Sequence, residues 1–488
     1  MLIDYQYINN YLVCSYVTDK GDIGLYNIKW NNPMNWVECS IDDPDAHPQY
    51  KTWDGCAVKQ VPVKKPNKHS VSYFLYEQPE EIRNMLFRSV KPNKMYIDIE
   101  TEIVSGFPSP KLAPTRILTI ATVFDLDKVV FLSLKELSGE EKVRIKEKTN
   151  EYVKKFGVSY KFKFIHFEKE HNMLLYFFEN LVKRATILSG WNVINFDWQF
   201  LINRCKNLGI YDTINNNRWL SPSKSFLPYD GDFILPRHKE VIDYMEVYVK
   251  YQQEVKVKES TSLDFVAEKL LKVKKIEYSG SLMELYNNDF ETYAYYNIVD
   301  TLLVKIIDDE KKYFDIMISI AEASRTRFKD AMGTVTPTEG FVRDMMLKMH
   351  NIVFVSNKIP NIEEVSGGWV KERENTLLNW VSVFDFASLY PTTQRQNYIA
   401  PENFIGNVDS TGEYAIYNYP LLGEVKTKID KNIHIITNRG SVFIKRKSAT
   451  IIFLEETYNK RKLNKKKASE AFKKIEKLKK LKEILYNK

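Results

Sequence analysis

The segment MYIDIET (residues 95–101) constrains this chain most, because acids at 98 and 100 alternate with isoleucines at 97 and 99. Alternation with a period of two is the pattern of a β-strand, and it puts Asp98 and Glu100 on one face. Two carboxylates side by side repel unless a cation lies between them, and hard oxygen ligands suit Mg²⁺ or Mn²⁺. The plain structural alternative is an edge strand with both acids in solvent. RILTIATVF and KVVFLSL read as further strands, and ATILSGWNVINFD as a strand running into a turn. Helices are predicted at about 170–185, 262–273, 289–310 and 313–331, from apolar residues at helical spacing. DWQFLINRCKNLG is a helix that stops at Gly209, a residue suited to the position just past a helix end. Strands followed by helices through 96–310 predict an α/β unit, a mixed sheet covered by helices. Residues 1–95 read as a smaller mixed α/β module.

The chain is long enough for several domains, with 488 residues, 44% hydrophobic and 27% charged. No apolar run approaches the roughly 18 residues of a membrane span. The N-terminus MLIDYQYINN has no basic flank leading into an apolar core, so no secretory signal is expected. Cys14, Cys39, Cys56 and Cys205 are scattered without a CxxC pair, which fits a reducing cytoplasm and neither disulfides nor zinc. The net charge of +8 is unevenly spread: residues 441–488 hold 16 lysines and arginines against five glutamates. A basic block on a near-neutral body suggests contact with phosphates, and a solvated or disordered basic tail is the alternative. Residues 455–486 read as one long basic helix.

Two further segments carry acids. In GWNVINFDWQF, Asn192 and Asp197 stand at a strand-to-helix turn, where Asp197 could simply cap the helix. In YAYYNIVD, Tyr296 and Asp300 are four apart and share a helical face, where a core aromatic and an exposed acid are the alternatives. The order D-x-E, then N-x-x-x-F-D, then Y-x-x-x-D resembles the three exonuclease motifs of family-B DNA polymerases, in the tyrosine subclass of the DEDD exonucleases. The resemblance implies an RNase H-like domain and a two-metal 3′→5′ proofreading nuclease. Asp98, Glu100, Asp197 and Asp300 would hold two Mg²⁺ or Mn²⁺ ions, and Tyr296 would position the attacking water. Asn192 and Phe196 would touch the DNA. HFEKEHNMLLYFFENL, VIDYMEVYVKY and TSLDFVAEKL are similar to segments of the tailed-phage members, and residues 222–240 fall where those carry a strand-separating β-hairpin.

VFDFASLYPTT resembles the first palm motif of the same family, DxxSLYPS, with Thr392 in place of the usual serine. The resemblance implies that Asp385 and the Phe386 carbonyl bind metal, two ions at a completed polymerase site. Ser388, Leu389 and Tyr390 would then meet the nucleotide. A glycine pair, Gly367 and Gly368, partly matches the family's linker toward template phosphates. Arg461 and Lys465, one helical turn apart, resemble the triphosphate-binding pair of the first fingers helix. The family's KxxxNSxYG and YxDTD motifs do not occur in this sequence. The expected organisation is therefore an N-terminal domain (1–95), exonuclease (96–330), return segment and linker (331–380), partial palm (381–445) and first fingers helix (446–488). The expected function is the N-terminal fragment or subunit of a DNA polymerase, completed by a C-terminal partner chain. A stand-alone exonuclease with a vestigial palm and a non-catalytic DNA-binding scaffold are the alternatives. Expected partners are primer-template DNA, single-stranded 3′ ends, dNTPs and a sliding clamp, in the cytoplasm of an infected bacterium.

Overall fold

The computed structural model describes residues 1–104, 106–125, 127–230, 233–252, 260–274, 276, 279–355, 379–382, 386, 388–419 and 423–486. Contacts divide the chain into two compact units, residues 1–31 with 78–337 and residues 32–77 with 338–488. This differs from the boundary expected at residue 95. The reason is burial: Met1, Ile3 and Val17 lie in one apolar core with Ile298, Leu302 and Phe314. The first strands therefore do not form a module with residues 32–77.

Six strands carry the first unit: β1 (Lys94–Thr101), β2 (Ile117–Phe124), β3 (Lys128–Ser133), β4 (Lys161–His166), β5 (Ile187–Gly190) and β6 (Glu240–Asp243). Their order across the sheet is β6-β5-β1-β2-β3-β4. β1, β2 and β3 are antiparallel neighbours, while β3 with β4, β1 with β5 and β5 with β6 run parallel. Alternation in β1 serves two cores. Met95, Ile97 and Ile99 pack with Phe177 and Phe178 of α1 (Glu170–Asn180) and Leu201 of α2 (Gln199–Asn207). Tyr96, on the opposite face, packs with Ile298, Leu302 and Ile306 of α3 (Phe290–Lys311). Each such side chain contributes about 1.5–3 kcal/mol when fully buried.

Local signals set the ends of these elements. α2 closes at Gly209, φ 68°, with Ile210 N–H on Cys205 O and Gly209 N–H on Lys206 O, both at 3.0 Å. That pair of bonds is the left-handed helix stop the sequence predicts. α3 starts on Asp289, whose carboxylate accepts from Thr292 N–H at 3.1 Å, and ends at Lys312, φ 56°. The helix expected at 313–331 stops at Ser324 instead, because Arg325 turns left-handed at φ 51°. Within 222–240 the chain forms an antiparallel hairpin, Phe226–Asp230 against Phe233–Pro236.

In the second unit Met34–Glu38 and Val58–Pro62 pair antiparallel. Lys51 N–H donates to Asn351 O at 3.0 Å and Val353 N–H donates to Lys51 O at 2.9 Å. The Tyr73 hydroxyl accepts from Phe354 N–H at 2.8 Å, and His69 Nδ1 meets Glu339 Oε1 at 2.6 Å. These bonds are why residues 32–77 associate with chain that comes some 300 positions later. A five-stranded antiparallel sheet follows, Phe404–Val408, Tyr414–Tyr419, Gly423–Lys428, His434–Ile436 and Ser441–Ile444, and then the helix Ala449–Tyr486. Among the described residues no helix is long and apolar enough to cross a membrane.

Candidate active site

Asp98 and Glu100 stand half-buried on one face of β1, while Ile97 and Ile99 are buried in the core behind it. Asp197 reaches this strand from the β5–α2 connection. Gly190 ends β5 where a Cβ would meet the Ile97 carbonyl oxygen at 2.5 Å, so glycine alone lets β5 lie this close to β1. Asn192 then turns left-handed at φ 59°, with its N–H on Asp243 Oδ1 at 2.9 Å. Residues 194–198 form a wide turn in which Trp198 N–H bonds Val193 O at 2.8 Å, a geometry enriched at functional sites. The turn aims Asp197 Oδ1 at Ile99 N–H, 2.9 Å away and between the two β1 acids in sequence. Asp197 is therefore no helix cap.

Burial, and then the charge of Asp98, pushes the Asp197 carboxyl well above the usual carboxylate range. Its backbone hydrogen bond acts in the opposite sense and does not prevail. Asp243 is also buried, and desolvation pushes its carboxyl up to about 6 although Asn192 and Met245 donate to it.

α3 crosses the same face of β1 and carries the third motif. Asp300 is buried and Tyr296 half-buried on it. Between them Asn297, fully buried, donates from Nδ2 to Asp98 Oδ2 at 2.5 Å. The Thr119 hydroxyl donates to Asn297 Oδ1 at 3.0 Å, and Thr119 lies opposite Glu100 in the β1–β2 register. The three segments thus converge on β1. Asp98 and Asp197 are hard oxygen donors, and Asp197 is raised by burial and then by the charge of Asp98, a repulsion that a divalent cation would relieve.

Three residues at this site were not singled out from sequence. Asn297 shares a helical face with Tyr293 and Asp300, a spacing that would have found it. Asp243 ends a strand and caps the helix Tyr244–Tyr251 through Met245 N–H at 2.9 Å, a common cap signal. Phe107 is 77% exposed, with its ring 4.8 Å from that of half-buried Phe196, and no periodicity marks it.

In the second unit Asp385, Gly367 and Gly368 lie outside the described residues. Ser388 is left-handed, φ 54°, and precedes the helix Leu389–Gln396, in whose first turn Pro391 sits. Tyr390 is 78% exposed, which excludes a core role, and Phe386 and Leu389 are exposed too. Arg461 donates to the Ser388 hydroxyl, and Arg395 stacks on the Tyr458 ring at 3.9 Å. The two polymerase-like segments therefore meet, with Lys465 exposed one turn beyond Arg461. Elsewhere in this unit Glu38, Asp54 and Cys56 hold ligand atoms within 4.8 Å of one another. Burial raises the Cys56 thiol to about 11. All four cysteines are buried and free of disulfides.

Residues 32–232 match the family model for the exonuclease domain of DNA polymerase family B. The chain is thus related to family-B DNA polymerases through their exonuclease region. The match starts upstream of the residue 96 expected from sequence and ends before Tyr296 and Asp300. Among its relatives is the DNA-directed DNA polymerase of Escherichia phage RB69, 27% identical over 327 residues, which cover 63% of this chain and 35% of that protein. The DNA-directed DNA polymerase of Enterobacteria phage T4 is 25% identical over 331 residues, with the same two shares. The chain spans about a third of the length of the relatives it matches.

Proposed function

We propose that this chain is a 3′→5′ DNA exonuclease of RNase H-like fold, the proofreading part of a family-B DNA polymerase. The observation that carries this is the convergence on β1: Asp197 bonds Ile99 N–H, and α3 bonds Asp98 through the residue next to Tyr296. Asp98, Glu100, Asp197 and Asp300 would hold two Mg²⁺ or Mn²⁺ ions. Such ions supply a nucleophilic hydroxide at neutral pH and stabilise the leaving oxygen. Tyr296 orients the water through its hydroxyl. Phe196 and Phe107 present ring faces on which an unpaired 3′ base can stack, and Asn192 sets the turn beneath them. The hairpin at 226–236 fits a strand-separating role.

With Mg²⁺, the chain should digest single-stranded DNA from the 3′ end. Asp98→Ala/Glu100→Ala should abolish digestion, and Tyr296→Phe should slow it about 10²-fold, the low end for a positioned proton-handling group. Continued digestion by the double alanine variant would remove the assignment.

The meeting of Ser388 and Arg461 supports a nucleotide site built from Asp385, Phe386, Ser388, Leu389, Tyr390, Arg461 and Lys465, with Gly367 and Gly368 on the template side. A two-metal polymerase site needs a second carboxylate, and YxDTD does not occur in this sequence. Polymerisation would then depend on a C-terminal polymerase chain. The basic helix leaves Phe472, Ile475 and Leu478 exposed along one stripe, a surface suited to such a partner. Mixing this chain with a polypeptide that carries KxxxNSxYG and YxDTD should restore primer extension, dependent on Asp385. An inactive mixture would overturn the reading of a polymerase completed by a second chain.

A further inference from the structure

We infer that Asn297 is a positioning residue for the cation site, holding the Asp98 carboxylate in place on its strand. This rests on the exonuclease reading above. Asn297 is fully buried on α3, and its two polar atoms are both engaged. An ionised carboxylate only accepts hydrogen bonds, so the amide must turn its NH₂ toward Asp98 and its oxygen toward the Thr119 hydroxyl. Nδ2 lies 2.5 Å from Asp98 Oδ2, a hydrogen bond strengthened by the acceptor's charge. The same nitrogen lies 3.4 Å from the Asp98 backbone carbonyl, so it grips side chain and strand together. The amide thereby fixes the orientation in which the Asp98 carboxylate would meet a cation.

Thr119 extends the device. It sits in β2 opposite Glu100, the other acid of the pair, and is itself fully buried. The chain of bonds Thr119–Asn297–Asp98 therefore spans both strands and the helix that carries Tyr296 and Asp300. Partners that orient a ligand from behind typically matter tenfold to a hundredfold in metal affinity. A merely structural asparagine would matter to the fold and not to the metal.

The test is calorimetric binding of Mn²⁺ to the full chain without DNA, beside a thermal melt in chelator. Asn297→Leu, close in shape and unable to donate, should weaken Mn²⁺ binding about tenfold to a hundredfold. Its affinity for a single-stranded oligonucleotide in chelator should stay unchanged. Thr119→Val, which loosens the amide without removing it, should weaken Mn²⁺ binding by a smaller factor and provides the measurement if the leucine variant does not fold. Equal Mn²⁺ affinity in wild type and folded variants overturns the positioning role while leaving the nuclease reading intact. Wild-type chain that binds no Mn²⁺, or binds it equally well after Asp98→Ala/Glu100→Ala, overturns the site assignment itself.

Discussion

Asp243 shows what a single buried carboxyl does to this fold. Its Oδ1 holds the Asn192 and Met245 N–H groups at 2.9 Å, and its Oδ2 is buried with no hydrogen-bond partner among the described residues. Desolvation raises its pKa from 3.8 to about 6. A carboxyl raised in the native state stabilises the fold when protonated. That contribution is complete below 3.8 and is lost as pH rises through about 6. The loss is about 3 kcal/mol, at about 1.4 kcal/mol per pKa unit. Melts in chelator from pH 4 to 7 should show wild-type stability falling across this window. Asp243→Asn, which keeps the acceptor, should lack that part of the slope, while the similarly raised Asp125 and Glu240 stay common to both proteins. Parallel profiles would mean that Asp243 does not titrate there. Gly190 gives a second test. Gly190→Ala must push against the Ile97 carbonyl, a strain of about 1–3 kcal/mol. Because β5 carries the Asp197 turn, digestion of single-stranded DNA should fall by more than the melt predicts. An unchanged rate would mean that the β5–β1 spacing does not set the site.

α3 is the element on which the first unit depends, and Asp308 is where it is tied down. Its carboxylate accepts from Lys94 Nζ and the Tyr96 hydroxyl at 2.7 Å, the Tyr244 hydroxyl at 3.0 Å and Phe314 N–H at 3.2 Å. Removing one partner from a buried charge network typically costs 3–5 kcal/mol, because the others remain buried and unpaired. Asp308→Ala should therefore lower the unfolding free energy by about that amount in a denaturant titration. A change under 1 kcal/mol would show that water replaces the carboxylate. The sequence announces elements of this kind through periodicity. Alternation in MYIDIET placed Asp98 and Glu100 on one face, and Gly209 marked the end of α2. Contacts between distant segments leave no such trace. Nothing near Met1 or Ile3 signals burial in the core that α3 joins, so sequence alone sets the first boundary at residue 95, where the compact unit breaks after residue 31. Asn297 bonds a carboxylate 199 positions away, and its role emerges only once β1 and α3 are side by side. Arg325 departs from a good helix pattern by a single left-handed residue, which apolar spacing cannot foresee.

At the scale of the whole molecule, charge is the property that sequence and structure read alike. The helix Ala449–Tyr486 carries most of the excess lysine, and its lysines from Lys460 to Lys480 are exposed. Arg461 faces Ser388, whereas Lys466, Lys467, Lys473 and Lys474 have no ion-pair partner among the described residues. A solvated basic helix and a phosphate-binding one differ in a measurable way. Each phosphate neutralised by a lysine releases condensed counterions, so log K against log salt steepens by about 0.9 per contact on duplex and about 0.7 on single strands. Binding of primer-template DNA should be followed in chelator, in the Asp98→Ala/Glu100→Ala background, so that the DNA survives. Replacing the four lysines by glutamine should then flatten the slope by up to about 3.6 and weaken binding most at low salt. The pH-dependent stability attributed to Asp243 should not move, because that carboxyl lies in the other unit. A slope unchanged by the four substitutions would assign the helix to solvent and transfer the DNA contacts to the body of the chain, where the exonuclease face would have to supply them.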